Sequence, residues 1–328
     1  MNLFWAVILL VGGLVILWKG ADLLVAGAVG LAKIFGISSL IIGLTVVAMG
    51  TSAPEVAASI AGVLQKSNGG DIAVGNVFGS NIANLILVGG IVALIKPLKI
   101  QKITLQREIP VMIAASLLLW PFLRNGFLSR AESIILILVF AALILLTVYT
   151  AKKESKKAKL VELEYEEEAK KYQFQSIRKC VFFVIIGLGG LALGAKMTVS
   201  GAIYIGTETL GLSEGVIALT MIALGTSLPE LVTCIVAAVK GEHDISVGNL
   251  VGSNIFNTLL VTGVAGLVKP FDVSSRFAGG VDYWIMIGVS LAFGAAGIIG
   301  RRTIGRIAGI IMLGSYALYV FYLFRFGQ

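Results

Sequence analysis

The chain has 328 residues, of which 57% are hydrophobic and 13% charged, with 40 glycines, 6 prolines and a formal net charge of +8. A soluble globule carries roughly 25% charged and about 45–50% apolar residues, so this chain has too few polar groups to cover a water-facing surface, and a soluble enzyme is excluded. The positive balance is read as topology information rather than as a nucleic-acid footprint.

In chain order, uncharged stretches occupy 1–18, 34–54, 72–95, 109–123, 133–151, 180–195, 215–229, 245–268, 283–300 and 307–324. Several can cross roughly 30 Å of hydrocarbon as helices, and the shorter ones extend through apolar flanks. The expectation is an all-α polytopic membrane protein of about ten transmembrane helices; the stretches are too long for barrel strands of about 9–11 residues. Met1-Asn2 leads directly into an apolar run without a basic start, so the first segment is read as a retained helix rather than a signal peptide.

Cys180 and Cys234 lack paired spacing, and His243 is the single histidine. Neither a disulfide framework nor a zinc site is supported, and no cofactor is expected. His243 falls at an expected helix start, where a cap or loop role suffices. Lys19 and Asp22, three residues apart, can share a helix face and pair there.

The main polar interruption is 152–179, with nine Lys or Arg and six Glu. It reads as a solvated cytosolic linker between a first unit, 1–151, and a second, 180–328. If the helices alternate and the N-terminus lies outside, the internal segments hold 18 basic residues and the external ones 6. The positive-inside rule then places both termini outside.

The chain also repeats itself. Thr45–Glu55 (TVVAMGTSAPE) returns as Thr220–Glu230 (TMIALGTSLPE) with seven of eleven positions identical, and Asp71–Asn84 returns as Asp244–Asn257 with ten of fourteen. Lys96-Pro97 and Lys269-Pro270 follow at the second pair's offset of 173. Two homologous five-helix halves are implied. Because five is odd, the second half enters from the opposite side, giving inverted repeats of the kind used by secondary transporters, with broken helices at the midplane.

Polar residues concentrate in these repeats. Thr51, Ser52, Pro54 and Glu55 interrupt an apolar segment, as do Thr226, Ser227, Pro229 and Glu230. Proline releases upstream carbonyls from helical bonding, so those just before the breaks are candidates for holding a cation. An unpaired carboxylate in hydrocarbon costs at least a few kcal/mol. Neither repeat contains Lys or Arg. A hard cation such as calcium, with its usual 6–8 oxygen ligands, is the simplest neutralising partner for Glu55 and Glu230. Ser80 and Asn84 share a helical face, as do Ser253 and Asn257, while Asn81 and Asn254 point elsewhere and can bond across helices.

Gly-Thr-Ser-x-Pro-Glu at 50–55 and 225–230, with Gly-Asn-x-x-Gly-Ser-Asn-Ile-x-Asn at 75–84 and 248–257, resembles the alpha repeats of sodium/calcium exchangers within the calcium/cation antiporters. The resemblance implies secondary active calcium countertransport against sodium through one alternating-access site. Glu55 and Glu230 would be its central carboxylates, with oxygens from Thr51, Ser52, Thr226, Ser227, Ala48 and Ala223, and Ser80, Asn84, Ser253 and Asn257 completing the metal-binding cluster. Some archaeal and potassium-dependent relatives carry Asp where this chain has Asn257, which argues against potassium cotransport. Three sodium ions per calcium is the family expectation and would be electrogenic.

The partners implied are calcium and sodium ions and the lipid bilayer, with no nucleic acid and no obligatory protein partner. The short linker suits a minimal exchanger of a prokaryotic plasma membrane. Calcium/proton antiport is the main rival, since neighbouring carboxylates can trade protons for calcium. A passive cation channel is a weaker one, and a membrane enzyme lacks a nucleophile.

Overall fold

The computed structural model describes residues 2–65, 69–162, 176–209 and 223–326, with the backbone alone described at 151–162 and at a few positions next to the gaps. Lys66, the linker centre at 163–175 and the repeated Thr220-Met221-Ile222 lie outside the described residues.

Helix α1, Leu3–Phe35, is mostly apolar and free of proline, with Lys19, Asp22 and Lys33 its charged residues. Asn2 caps its start, Oδ1 accepting from Trp5 N–H at 3.1 Å. Gly36, at φ 61°, ends it in the left-handed conformation and returns its N–H to Ala32 and Lys33. α2, Ser39–Thr51, and α3, Ala53–Val63, form one apolar rod bent by 42° at Ser52. Pro54 explains the bend, since it lacks an N–H and its ring crowds the preceding turn.

The remaining helices are α4 Gly69–Ile95, α5 Ile109–Leu123, α6 Arg130–Glu162, α7 Ile177–Glu208, α8 Ala223–Thr226, α9 Leu228–Val239, α10 His243–Val268, α11 Val281–Ile299 and α12 Arg306–Phe326. Among the described residues, seven helices are long and apolar enough to span a bilayer, or eight counting the bent α2–α3 pair. Two regions account for the difference from about ten. α5 has only 15 residues of α-helix, and the α8–α9 region is described only from Ala223.

Matching contacts join the two parts of the chain. Strand β1, Leu98–Lys99, pairs antiparallel with β4, Thr303–Ile304, and β2, Phe127–Leu128, with β3, Phe271–Asp272. Shifting each strand by one repeat converts the first pairing into the second. Side chains repeat the pattern. Lys96 Nζ donates to the Val239 carbonyl at 3.1 Å, and Lys269 Nζ to that of Gln65 at 3.3 Å. Each lysine thereby caps the C-terminal carbonyls of the opposite half's helix. Asp71 accepts from Ser274 N–H at 2.8 Å, and Asp244 from Gln101 Nε2 at 2.5 Å.

α1 and α7 run antiparallel along a glycine seam. Gly13, Gly20 and Gly27 recur at Gly187, Gly194 and Gly201. A Cβ on Gly20 would sit 2.8 Å from Leu191 N, and one on Gly187 2.6 Å from Leu24 N, so the backbones touch where only glycine fits. Around this seam a smaller apolar cluster gathers Leu17, Leu24, Val184 and Leu191; a larger one joins α4, α5, α10 and α11 through Phe78, Met112, Leu250 and Tyr283. Asp22 departs from the expected pairing with Lys19. Its carboxylate meets Lys240, at the end of α9, at 2.5 Å, because α1 packs against α9.

Candidate cation-binding site

The two helix breaks bring the repeated acids together. Glu55 lies in the first turn of α3 and Glu230 in the first turn of α9, and neither is exposed to solvent. Helix N-termini present free N–H groups and favour negative charge, so both breaks suit carboxylates. Ser52, at the first break, donates to Glu230 Oε1 at 3.0 Å across the halves. Thr51 donates to Asn249 Oδ1 at 3.1 Å, another contact between halves, and lies 3.4 Å from the Ala48 carbonyl. That carbonyl also accepts the Ser52 N–H at 3.0 Å.

On the facing helices, π-helical turns open at the repeated asparagines. Residues Ala83–Val88 of α4 and Asn257–Val261 of α10 are wound in this way, and each inserts an extra residue into the helical ladder. The first turn packs on α9 and the second on α3, so Asn84 comes to the helix of Glu230 and Asn257 to the helix of Glu55. Ser80, 4% exposed, is buried as the acids are. Ser227 and Ser253 are buried, whereas Thr226 is partly buried. Ala223 is the first described residue after the gap at 210–222.

The electrostatics of this cluster are one-sided. Among the described residues, seven buried oxygens of the expected set lack a hydrogen-bond donor: both of Glu55, Oε2 of Glu230, the amide oxygens of Asn84 and Asn257, and the hydroxyls of Ser227 and Ser253. The described ion pairs, Arg107–Glu108, Lys240–Asp22 and Arg276–Asp282, lie elsewhere. Two carboxylates buried without a basic partner cost several kcal/mol each unless neutralised by something bound or by protons. Among the described residues no three His, Cys, Asp or Glu gather to hold a metal, so soft-metal chemistry has no donor set here.

Two asparagines escaped assignment from sequence. Asn76 Nδ2 donates to the Glu55 carbonyl at 3.1 Å and to Ser59 Oγ at 2.9 Å; Asn249, its repeat equivalent, receives Thr51 and reaches Cys234 Sγ at 3.4 Å. Both fix the acid-bearing turns. The signal was present, since Gly-Asn recurs at 75–76 and 248–249. Asn81 does bond across helices, to Thr258 Oγ1 at 2.9 Å, whereas Asn254 turns back to Leu250 of its own helix.

Paired carboxylates at two helix breaks inside a bundle of membrane-length helices define a cation transporter of the antiporter class. The chain belongs to the sodium/calcium exchanger family: the model for "Sodium/calcium exchanger protein" matches residues 5–149 and 179–325. It is an integral membrane antiporter, not an enzyme. Inner membrane protein YrbG of Escherichia coli is 37% identical over 317 residues, covering 96% of this chain and 95% of that protein. Sodium/calcium exchanger MaX1 of Methanosarcina acetivorans is 33% identical over 297 residues, covering 81% and 84%. The solved structure of the sodium/calcium exchanger from Methanococcus jannaschii superposes with a TM-score of 0.80 at 29% identity, covering 97% of this chain and 98% of that one.

Proposed function

We propose that the protein exchanges calcium for sodium, binding each in turn at one site built around Glu55 and Glu230. The observation that carries this reading is the pair of buried carboxylates, one from each half, set among unpartnered oxygens without a described basic partner. Thr51, Ser52, Ser80 and Asn84, with Thr226, Ser227, Ser253 and Asn257, supply neutral oxygens. The carbonyls of Ala48 and Ala223 supply the rest.

Charge sets the coupling. One calcium neutralises two carboxylates, as do two sodium ions, and a third sodium leaves +1. Sharing the same oxygens, sodium and calcium exclude one another. A loaded site is close to neutral and crosses readily, whereas an empty one carries two bare charges that are costly to occlude. Three-for-one exchange moves one net charge per cycle, worth about 2.3 kcal/mol per 100 mV.

Alternating access follows from the architecture. Units 1–151 and 180–328, joined by the charged run 152–179, are inverted five-helix repeats. The mirrored strand pairings and lysine caps support this reading. Gating on either side of a nearly fixed midplane site would then expose it alternately. Both termini lie outside and 152–179 is cytosolic, in a prokaryotic plasma membrane, as the charge bias requires.

The test is calcium uptake by liposomes containing the purified protein, under an imposed sodium, proton or potassium gradient. An outward sodium gradient should drive uptake, faster with the interior held positive, and potassium should leave it unchanged. Uptake driven by a pH gradient but not by sodium would replace this reading with calcium/proton antiport. Ion currents without coupling would replace it with a channel.

A further inference from the structure

Between α11 and α12 runs an apolar groove of about 690 Å³, within the roughly 300–1,000 Å³ range of ligand pockets. Gly288, Ala292 and Ala296 recur every fourth residue and set its α11 wall back, while Ile307 and Ile311 form the other wall and Ile86 part of its lining. A Cβ on Gly288 would meet nothing within 4 Å, so the glycine does not serve close helix packing. Ile299, Ile307 and Ile311 are 81%, 77% and 64% exposed, which places the groove's rim against hydrocarbon.

One end of the groove is basic. Gly300 and Thr303 line it and bracket Arg301 and Arg302, both exposed. Neither arginine forms an ion pair among the described residues. Lys99, opposite Thr303 in the β1–β4 pair, adds a third exposed charge. The backbone there is held tightly, Arg302 N–H donating to Gly297 at 2.8 Å and its carbonyl accepting from Ile100 N–H at 2.8 Å.

That turn is strained at both arginines, with φ 49° at Arg301 and 70° at Arg302. In the first half the residues before the equivalent strand β2 are Asn125 and Gly126, the types that tolerate left-handed backbone, and Gly126 adopts φ 77°. The first half thus puts a glycine at its left-handed position before the strand, whereas the second puts two guanidiniums in left-handed backbone. Strain of this kind gathers at ligand clamps.

We propose that this groove is a site for an anionic phospholipid, one acyl chain lying along Gly288, Ala292 and Ala296 and the phosphate held by Arg301 and Arg302. Guanidinium forks suit phosphate oxygens, and basic clusters at helix ends select anionic headgroups. The assignment does not depend on which ions are exchanged.

Native mass spectrometry of the full chain in detergent tests it, with palmitoyl-oleoyl phosphatidylglycerol and phosphatidylcholine added at equal concentration. Phosphatidylglycerol should be retained at least tenfold more tightly. The R301N/R302G double variant puts residue types that tolerate left-handed backbone at both strained positions, so it should fold at least as stably and lose the preference. Ala292→Leu should weaken retention of both lipids. Equal retention of the two lipids by the unaltered protein would overturn the proposal, as would a preference that survives in R301N/R302G. Displacement of the lipid by soluble glycerol phosphate at equal concentration would show an anion site without acyl recognition and would also overturn it. So would a dimer that Ala292→Leu dissociates, since a second copy would then occupy the groove.

Discussion

Ser52 donates to Glu230 Oε1 at 3.0 Å, whereas Ser227, its repeat equivalent, leaves its hydroxyl without a described partner, and so do both carboxylate oxygens of Glu55. The sequence of the two motifs is nearly symmetric, but the hydrogen bonding between them is not. One acid is tethered across the two parts of the chain, while the other has no described hydrogen-bond donor on either carboxylate oxygen.

Removing either acid's charge is the sharpest perturbation. Glu55→Gln and Glu230→Gln keep side-chain volume but remove half of the negative charge that balances calcium. Each is expected to lower sodium-driven calcium uptake by at least tenfold, equivalent to about 1.4 kcal/mol. Radioactive calcium uptake into liposomes, normalised to protein inserted, measures it. Near-normal uptake in both single variants would remove these acids from the transport site.

The Ser52 tether should matter more than a neutral hydrogen bond. A bond to a charged group contributes about 1.5–3 kcal/mol, so Ser52→Ala should raise the calcium concentration for half-maximal uptake by roughly tenfold or more. Ser52→Thr keeps the hydroxyl and should restore most of the affinity. If the alanine and threonine variants are equally impaired, packing at the break rather than the hydroxyl is what counts.

Much of this was legible in the chain because a polar residue in hydrocarbon needs a reason, and the repeat supplied each reason twice. Glu55 and Glu230, the helix breaks at Pro54 and Pro229, and the membrane class all followed from that logic. Asn76 and Asn249 were harder to place, because an amide that braces a neighbouring turn looks in sequence like one that packs helices. The partner of Asp22 was hidden for a related reason: spacing within α1 offers Lys19 as a possibility, but only the packing of α1 on α9 brings Lys240 within reach. The Arg301-Arg302 strain is invisible without backbone angles.

The lysine caps give a test of the mirrored architecture. Lys96 and Lys269 each bind carbonyls at the end of a helix in the opposite half. A charge at a helix C-terminus contributes about 0.3–1 kcal/mol, and in a large domain 1 kcal/mol moves the unfolding midpoint by about 2–4 °C. Lys96→Ala and Lys269→Ala should each lower the midpoint by about 1–4 °C, followed by tryptophan fluorescence in detergent. Because the two lysines bond to different carbonyls, the double variant should show the sum of the two shifts.

The α1–α7 seam makes the strongest stability prediction because the contact is backbone against backbone. A Cβ on Gly187 would lie 2.6 Å from Leu24 N and 2.8 Å from the Gly20 carbonyl, neither of which can rotate away. Gly187→Ala therefore forces the helices apart, and overpacking of this kind costs about 1–3 kcal/mol. Gly189, two residues along the same helix, would place its Cβ in open space. Gly189→Ala should leave the thermal midpoint unchanged or raise it, since alanine is the better helix former. A midpoint lowered by several degrees in Gly187→Ala and not in Gly189→Ala would locate the cost in the seam. Equal behaviour of the two variants would mean that α1 and α7 do not touch through their glycines in the membrane.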